Sequence, residues 1–165
     1  MSGPSDRSAW MPRQTWQSLV DGADCPLCES VQTTENPDHH GYFVADLRSG
    51  RVRLSLDQLA RGYCVLLAHR HIREPYELSQ PERAAFFDDM CQIGRVVEHL
   101  FGAIKMNFQM LGMKTPHLHA HVIPRYYGDP APGRALLASD GRVELVEAEY
   151  LELADKIRGE LAAAA

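Results

Sequence analysis

The run Pro116-His117-Leu118-His119-Ala120-His121-Val122-Ile123 constrains the fold more than any other stretch of the chain. In an extended strand, side chains two positions apart leave the same face. His117, His119 and His121 therefore form one row, and Leu118, Ala120 and Val122 form the row on the opposite face. The apolar row calls for a helix packed against it. The imidazole row calls for chemistry, because burying polar groups without partners is costly. One core histidine is commonplace, whereas three on a single strand face point to a site.

The rest of the chain supplies the elements such a strand needs. Short segments with strand character span 42–47, 51–56 and 63–68, and two more span 104–111 and 118–123. Val52, Leu54 and Leu56 alternate with Arg53 and Ser55, which predicts one buried and one wet face. Ser79, Pro81 and Glu82 form a capping box with Pro in the first turn. Phe86, Met90, Ile93, Val97 and Leu100 follow at helical spacing, and Gly102 is a natural stop. The Phe86 face is the expected partner of the apolar row. A second amphipathic helix is predicted over about 143–161, carrying Val146, Tyr150, Leu153, Ile157 and Leu161. Ahead of the strands, residues 1–8 read as a loose tail. Trp10 and Trp16 anchor an arm with a short helix after Pro12, and Glu29 to Gly41 reads as a loop. The expected division is an arm over 1–41, a core over 42–134 and a helical extension over 135–165, all in one domain.

Composition narrows the classes. With 165 residues and 45% hydrophobic content the chain can bury a core of its own. A formal charge of −5 argues against a protein built to grip nucleic acid or an anionic membrane. No run approaches the roughly 18 apolar residues of a membrane span, and the N-terminus lacks a secretory apolar region. Four cysteines, Cys25, Cys28, Cys64 and Cys91, make no disulfide framework. A reducing cytoplasm is the expected setting, with Cys64 and Cys91 as core residues.

Two chemistries suit the imidazole row, and spacing does not choose between them. Neutral imidazoles ligate zinc, copper or iron. An imidazole is also a nucleophile near neutral pH and can attack phosphorus to give a covalent intermediate. The Cys25-Pro26-Leu27-Cys28 motif is equally open: a redox pair, half of a zinc site, or a chance spacing. Among the other histidines, His69 is expected to be exposed at a strand end. His39 and His40 are expected to be solvated in a polar loop, and His99 to lie near a helix C-terminus.

The sequence PHLHAHVIPRY resembles the signature of the histidine triad (HIT) family. The upstream stretch GYCVLLAHRHIREPYELSQPERAAFF is similar to that family's strand, corner and following helix. The likeness covers roughly 42–134 and extends to bacterial members and the fragile-histidine-triad branch. It implies an α+β fold, with an antiparallel sheet of about five strands, one long packed helix and a C-terminal helix, usually in a homodimer. It also implies hydrolysis or transfer at the α-phosphate of a nucleotide conjugate or dinucleoside polyphosphate. His119 would be the nucleophile that carries the nucleotide, and His117 and His121 would orient it and contact phosphate. Some HIT proteins, and the related galactose-1-phosphate uridylyltransferases, resemble the chain in an N-terminal CxxC that binds zinc. The matching ligands here are Cys25, Cys28, His71 and His117, which implies a structural zinc site and no organic cofactor. Where many relatives carry Gly-Asn before the triad, this chain has Gly112-Met113-Lys114-Thr115, and Tyr63 stands where other branches have His. Candidate substrate contacts are Asn107, Gln109, Lys114, Thr115 and Arg125. The alternative function is a nucleotide-binding or zinc-binding protein of this type without catalysis.

Overall fold

A computed structural model describes residues 11–33 and 35–164. The N-terminal tail and Trp10 lie outside the described residues. Helices α1 (Arg13–Val20) and α2 (Pro26–Gln32) precede strands β1 (Tyr42–Asp46), β2 (Gly50–Leu54) and β3 (Cys64–Ala68). Helix α3 (Gln80–Phe101), strands β4 (Lys105–Gln109) and β5 (His119–Arg125), and helix α4 (Glu147–Ala163) follow. The strands form one five-stranded sheet in the order β1-β2-β3-β5-β4, every neighbouring pair antiparallel. The α+β fold expected from the sequence is the observed one.

Helix α3 begins and ends where its local chemistry requires. Glu82 accepts from the Ser79 backbone N–H at 2.8 Å, closing the capping box, and Gly102 leaves the helix in the left-handed region at φ 66°. Its inner face places Phe86, Ile93 and Val97 against Leu118, Ala120 and Val122 of the histidine strand, all of them buried. Tyr150, Leu153, Ile157 and Leu161 of α4 complete this core. Val146, expected in that stripe, instead precedes α4 as its exposed N-cap.

Strand β3 is buried on both faces. Cys64, Leu66 and Ala68 join the helix-side core, while Val65 and Leu67 pack under Cys25 and Leu27 of the N-terminal arm. The structure changes three expectations. Helix α2 runs through Gln32, into the stretch read as loop. Arg53, placed by alternation on a wet face, is fully buried: the segment before β1 folds over β2 and surrounds the guanidinium. Its head pairs with Asp38 at 2.9 Å and donates to the carbonyls of Ser30 at 2.9 Å and Gly41 at 3.1 Å. Cys91 sits on the outer side of α3 and is exposed, because the burial stripe of that helix passes through Met90 and Ile93. Cys64 is buried as expected, and burial pushes its thiol up to about 12. No helix among the described residues is long and apolar enough to cross a membrane.

Gly62 governs how the chain enters β3. Its φ is +93°, and a Cβ there would lie 2.5 Å from the Phe101 ring. Gly62→Ala should therefore destabilise the fold by about 2 kcal/mol, from φ strain and overpacking together. Urea unfolding measures this, and a midpoint equal to that of the parent protein would contradict it.

Candidate functional site

Two groups of side chains meet on the face of the sheet away from α3. The first joins the arm to the sheet. Cys25 is the N-cap residue of α2 and Cys28 lies in its first turn, His71 follows β3, and His117 precedes β5 and is 1% exposed. One ligand atom from each lies within 4.8 Å of all the others. His71 Nδ1 and His117 Nδ1 are 3.3 Å apart. Cys28 Sγ is 3.3 Å from His71 Nδ1 and 3.4 Å from His117 Nδ1, and Cys25 Sγ is 3.5 Å from His117 Nδ1. A tetrahedral ion with Zn–N and Zn–S bonds of ordinary length has N···N edges of about 3.4 Å and N···S edges of about 3.6 Å. The four groups fit such an ion.

The tautomers agree with that fit. His71 donates Nε2–H to the Val20 carbonyl at 3.0 Å, and His117 donates Nε2–H to the Ala68 carbonyl at 2.8 Å. Carbonyls only accept, so in each neutral ring Nδ1 keeps its lone pair and faces the cluster. The thiols fit the redox reading poorly. Burial, reinforced by the adjacent Cys25, pushes the Cys28 thiol up to about 11, opposite to the depression that makes a CxxC pair reactive.

The second group is the remainder of the histidine row. Register on β5 sets His119 opposite Leu67 and His121 opposite Val65, and the two imidazole centroids lie 5.0 Å apart with planes at 77°. His119 donates Nδ1–H to the His117 carbonyl at 2.6 Å, so its Nε2 carries the lone pair. That nitrogen makes no hydrogen bond among the described residues, and His119 lines a cavity of about 1000 Å³. His121 meets the Tyr63 hydroxyl through Nδ1 at 2.5 Å. Burial lowers the proton affinity of both rings; the bond to the His117 carbonyl partly offsets this at His119, while His121 is pushed down to about 4. The row is neutral at neutral pH, and Nε2 of His119 carries an unencumbered lone pair able to act as nucleophile or base.

The cavity gathers some of the residues singled out in the sequence and leaves others aside. Lys114 and Thr115 line it beside His119 and His121, with Met113 at its rim, 65% exposed. Gln109 stands opposite His121 and Asn107 opposite Ile123, so both share the histidine face. They nevertheless line a separate groove of about 930 Å³ along β4. Arg125 is not brought to the triad. It is buried, pairs with Asp129, and donates to Asn107 Oδ1 at 2.7 Å and to the carbonyls of Ala131 at 2.8 Å and Arg134 at 2.9 Å. The guanidinium braces the loop after β5, and Asn107 is occupied in holding it.

His40 corrects the expectation of a solvated loop. The Asp38 carboxylate takes its backbone N–H at 2.8 Å, which turns the ring inward to line the triad cavity. Its Nε2 is buried with no partner among the described residues, and burial lowers its proton affinity. The only local signal was its place immediately before Gly41 and β1. His69 is exposed just past the end of β3, its Nε2–H donating to the Leu47 carbonyl at 2.9 Å; His99 lies in the last turn of α3.

Comparison with known proteins agrees with this arrangement. A family model described as the HIT domain matches residues 39–128. Protein hit of Bacillus subtilis (strain 168) is 27% identical over 78 residues, 44% of this chain and 54% of that protein, so the chain spans about half the length of this curated relative. A histidine triad protein from Marinobacter aquaeolei VT8 superposes with a TM-score of 0.68 at 27% identity, covering 76% of this chain and 92% of that one. One from Sinorhizobium meliloti 1021 does so with a TM-score of 0.68 at 24% identity, covering 81% and 98%. A Zn-bound histidine triad family protein from Mycobacterium smegmatis has the same fold, with a TM-score of 0.62 at 19% identity over 86% and 96%. With the matched region spanning more than half of the sequence and containing the whole histidine row, the chain belongs to the HIT family.

Proposed function

We propose that the protein cleaves a nucleotide conjugate, or a dinucleoside polyphosphate, at the α-phosphorus with His119 as the nucleophile. The observation that carries this reading is the bond from His119 Nδ1–H to the His117 carbonyl, which leaves the Nε2 lone pair facing the cavity. Attack by Nε2 forms an N–P bond as the bond from phosphorus to the leaving group breaks. The leaving group departs with that electron pair and takes up a proton. Water then attacks the nucleotidyl-histidine, releasing the nucleotide and restoring the imidazole; with phosphate as acceptor the same intermediate gives transfer. Lys114, at the cavity wall, is placed to offset phosphate charge against the acidic background of the chain.

The Cys25, Cys28, His71 and His117 group is proposed to hold structural zinc. The tetrahedral spacing of the ligand atoms supports this, as does the Zn-bound relative from Mycobacterium smegmatis. The ion would tie α2 to the sheet, and His117 would reach His119 only through its backbone carbonyl. A homodimer formed along β4 is proposed as well: β4 is an edge strand, and Ile104, Phe108 and Met110 on and beside it are exposed. A reducing cytoplasm suits the two thiol ligands. The second reading, a nucleotide binder without turnover, draws support from Met113, which puts a thioether where a polar contact to phosphate would help.

Pure protein incubated with adenylated, guanylated and uridylated conjugates, with and without phosphate, should release the nucleoside monophosphate or its phosphorylated product, followed by mass spectrometry. His119→Asn should lower that turnover by about a thousandfold or more while leaving the unfolding midpoint unchanged. Binding without release across the panel would favour the second reading. Metal analysis should find close to one zinc per chain, and chelation should lower the melting temperature; less than about half an equivalent with full activity would contradict the assignment. Sedimentation equilibrium at micromolar concentration should return twice the chain mass, and a monomer would remove the dimer.

A further inference from the structure

Two histidines of one strand face, two residues apart, are held in opposite tautomers by different partners. His119 keeps its proton on Nδ1, where the His117 carbonyl accepts it. At His121 the same atom faces the Tyr63 hydroxyl at 2.5 Å, with ring centroids 5.9 Å apart and planes at 47°. Burial raises the Tyr63 phenol above its ordinary value, so the hydroxyl keeps its proton at neutral pH. Among the described residues, His121 Nδ1 is the acceptor within reach of that hydroxyl. The phenol therefore donates and Nδ1 accepts, which leaves the single proton of the neutral ring on Nε2.

The backbone makes this pairing hard to avoid. Val65 stands opposite His121 in the β3–β5 register, and Tyr63 lies two residues earlier, on the same face. The Gly62 turn delivers Tyr63 to that position, and its backbone N–H is held by the Ala60 carbonyl at 2.9 Å. Nε2 of His121 has no hydrogen bond among the described residues, and the ring lines the cavity that His119 lines.

We infer that Tyr63 is a positioning residue, whose hydroxyl fixes His121 in the Nε2–H tautomer so that the ring presents a donor to a phosphoryl oxygen beside the His119 nucleophile. The inference rests on the phosphoryl chemistry proposed above. It assigns different tasks to two identical side chains: His119 offers a lone pair, and His121 offers a proton that stays on its nitrogen. A fixed donor strengthens as charge builds on the phosphoryl oxygens, so its effect falls on the chemical step more than on binding.

Tyr63→Phe removes one oxygen and keeps the ring, and zinc content and unfolding midpoint verify that the variant folds. In protein labelled with 15N-histidine, the His121 signals should show an unprotonated Nδ1 and a protonated Nε2 in the parent, and exchange-averaged nitrogens in Tyr63→Phe. With the conjugate that the parent turns over best, kcat should fall about tenfold while KM stays within about twofold. A parent His121 protonated on Nδ1, or a variant with the parent's tautomer and kcat, would overturn the inference. The NMR comparison needs no substrate, so a parent that binds but turns over no conjugate removes the proposed reaction, and with it the kinetic role of Tyr63, while the tautomer assignment is still decided separately.

Discussion

The two-residue period of β5 is the constraint on which everything else depends. Leu118, Ala120 and Val122 must be covered because they are apolar, and α3 covers them, so the strand cannot slip by one residue without turning its imidazoles into the core. The chemistry on the other face is thereby held in place by hydrophobic packing on the first. Once the register is set, His119 and His121 stand opposite Leu67 and Val65, and every polar atom they present is determined by what lies along β3 and before β5.

The second face would be open if the N-terminal arm did not close it, and the arm is held by polar ties at two points. At one, two sulfurs and two ring nitrogens converge at tetrahedral spacing. At the other, Arg53 is buried against Asp38 and two carbonyls, an arrangement whose desolvation cost is tolerable only because charge and hydrogen bonds are supplied together. Between these ties, Leu27 packs on Val65 and Leu67, and His40 is turned toward the cavity. The arm thus serves as a wall of the site. The position of His117 links the parts: its ring belongs to the Cys/His group, while its carbonyl sets the tautomer of His119.

What could be read from the sequence was local or periodic. Ser79, Glu82 and Gly102 mark the ends of α3 through chemistry confined to a few residues, and the β5 alternation separates its two faces without knowledge of the neighbours. What escaped depends on partners distant in the chain. Arg53 looks like a solvent-facing strand residue until Asp38 and the Ser30 carbonyl close over it. Arg125 looks like a phosphate ligand until Asp129, Asn107 and the loop after β5 engage every nitrogen of its guanidinium. His40 looks solvated because nothing nearby in sequence shows that its loop turns back over the sheet. Cys91 follows a buried methionine in a helix, and one residue is enough to carry it about 100° around to the outside. For Tyr63 the sequence marked the position as unusual; its pairing with His121 required the β3–β5 register.

In the proposed reaction one nitrogen, Nε2 of His119, is set aside to bond with phosphorus. Mixing the protein with a turned-over nucleotide conjugate, quenching in base within milliseconds, and mapping the peptides by mass spectrometry tests it directly. One nucleotidyl group should appear on the ring of His119, formed before product is released. Steady turnover with no label on any histidine, or a label on His117 or His121, would contradict it.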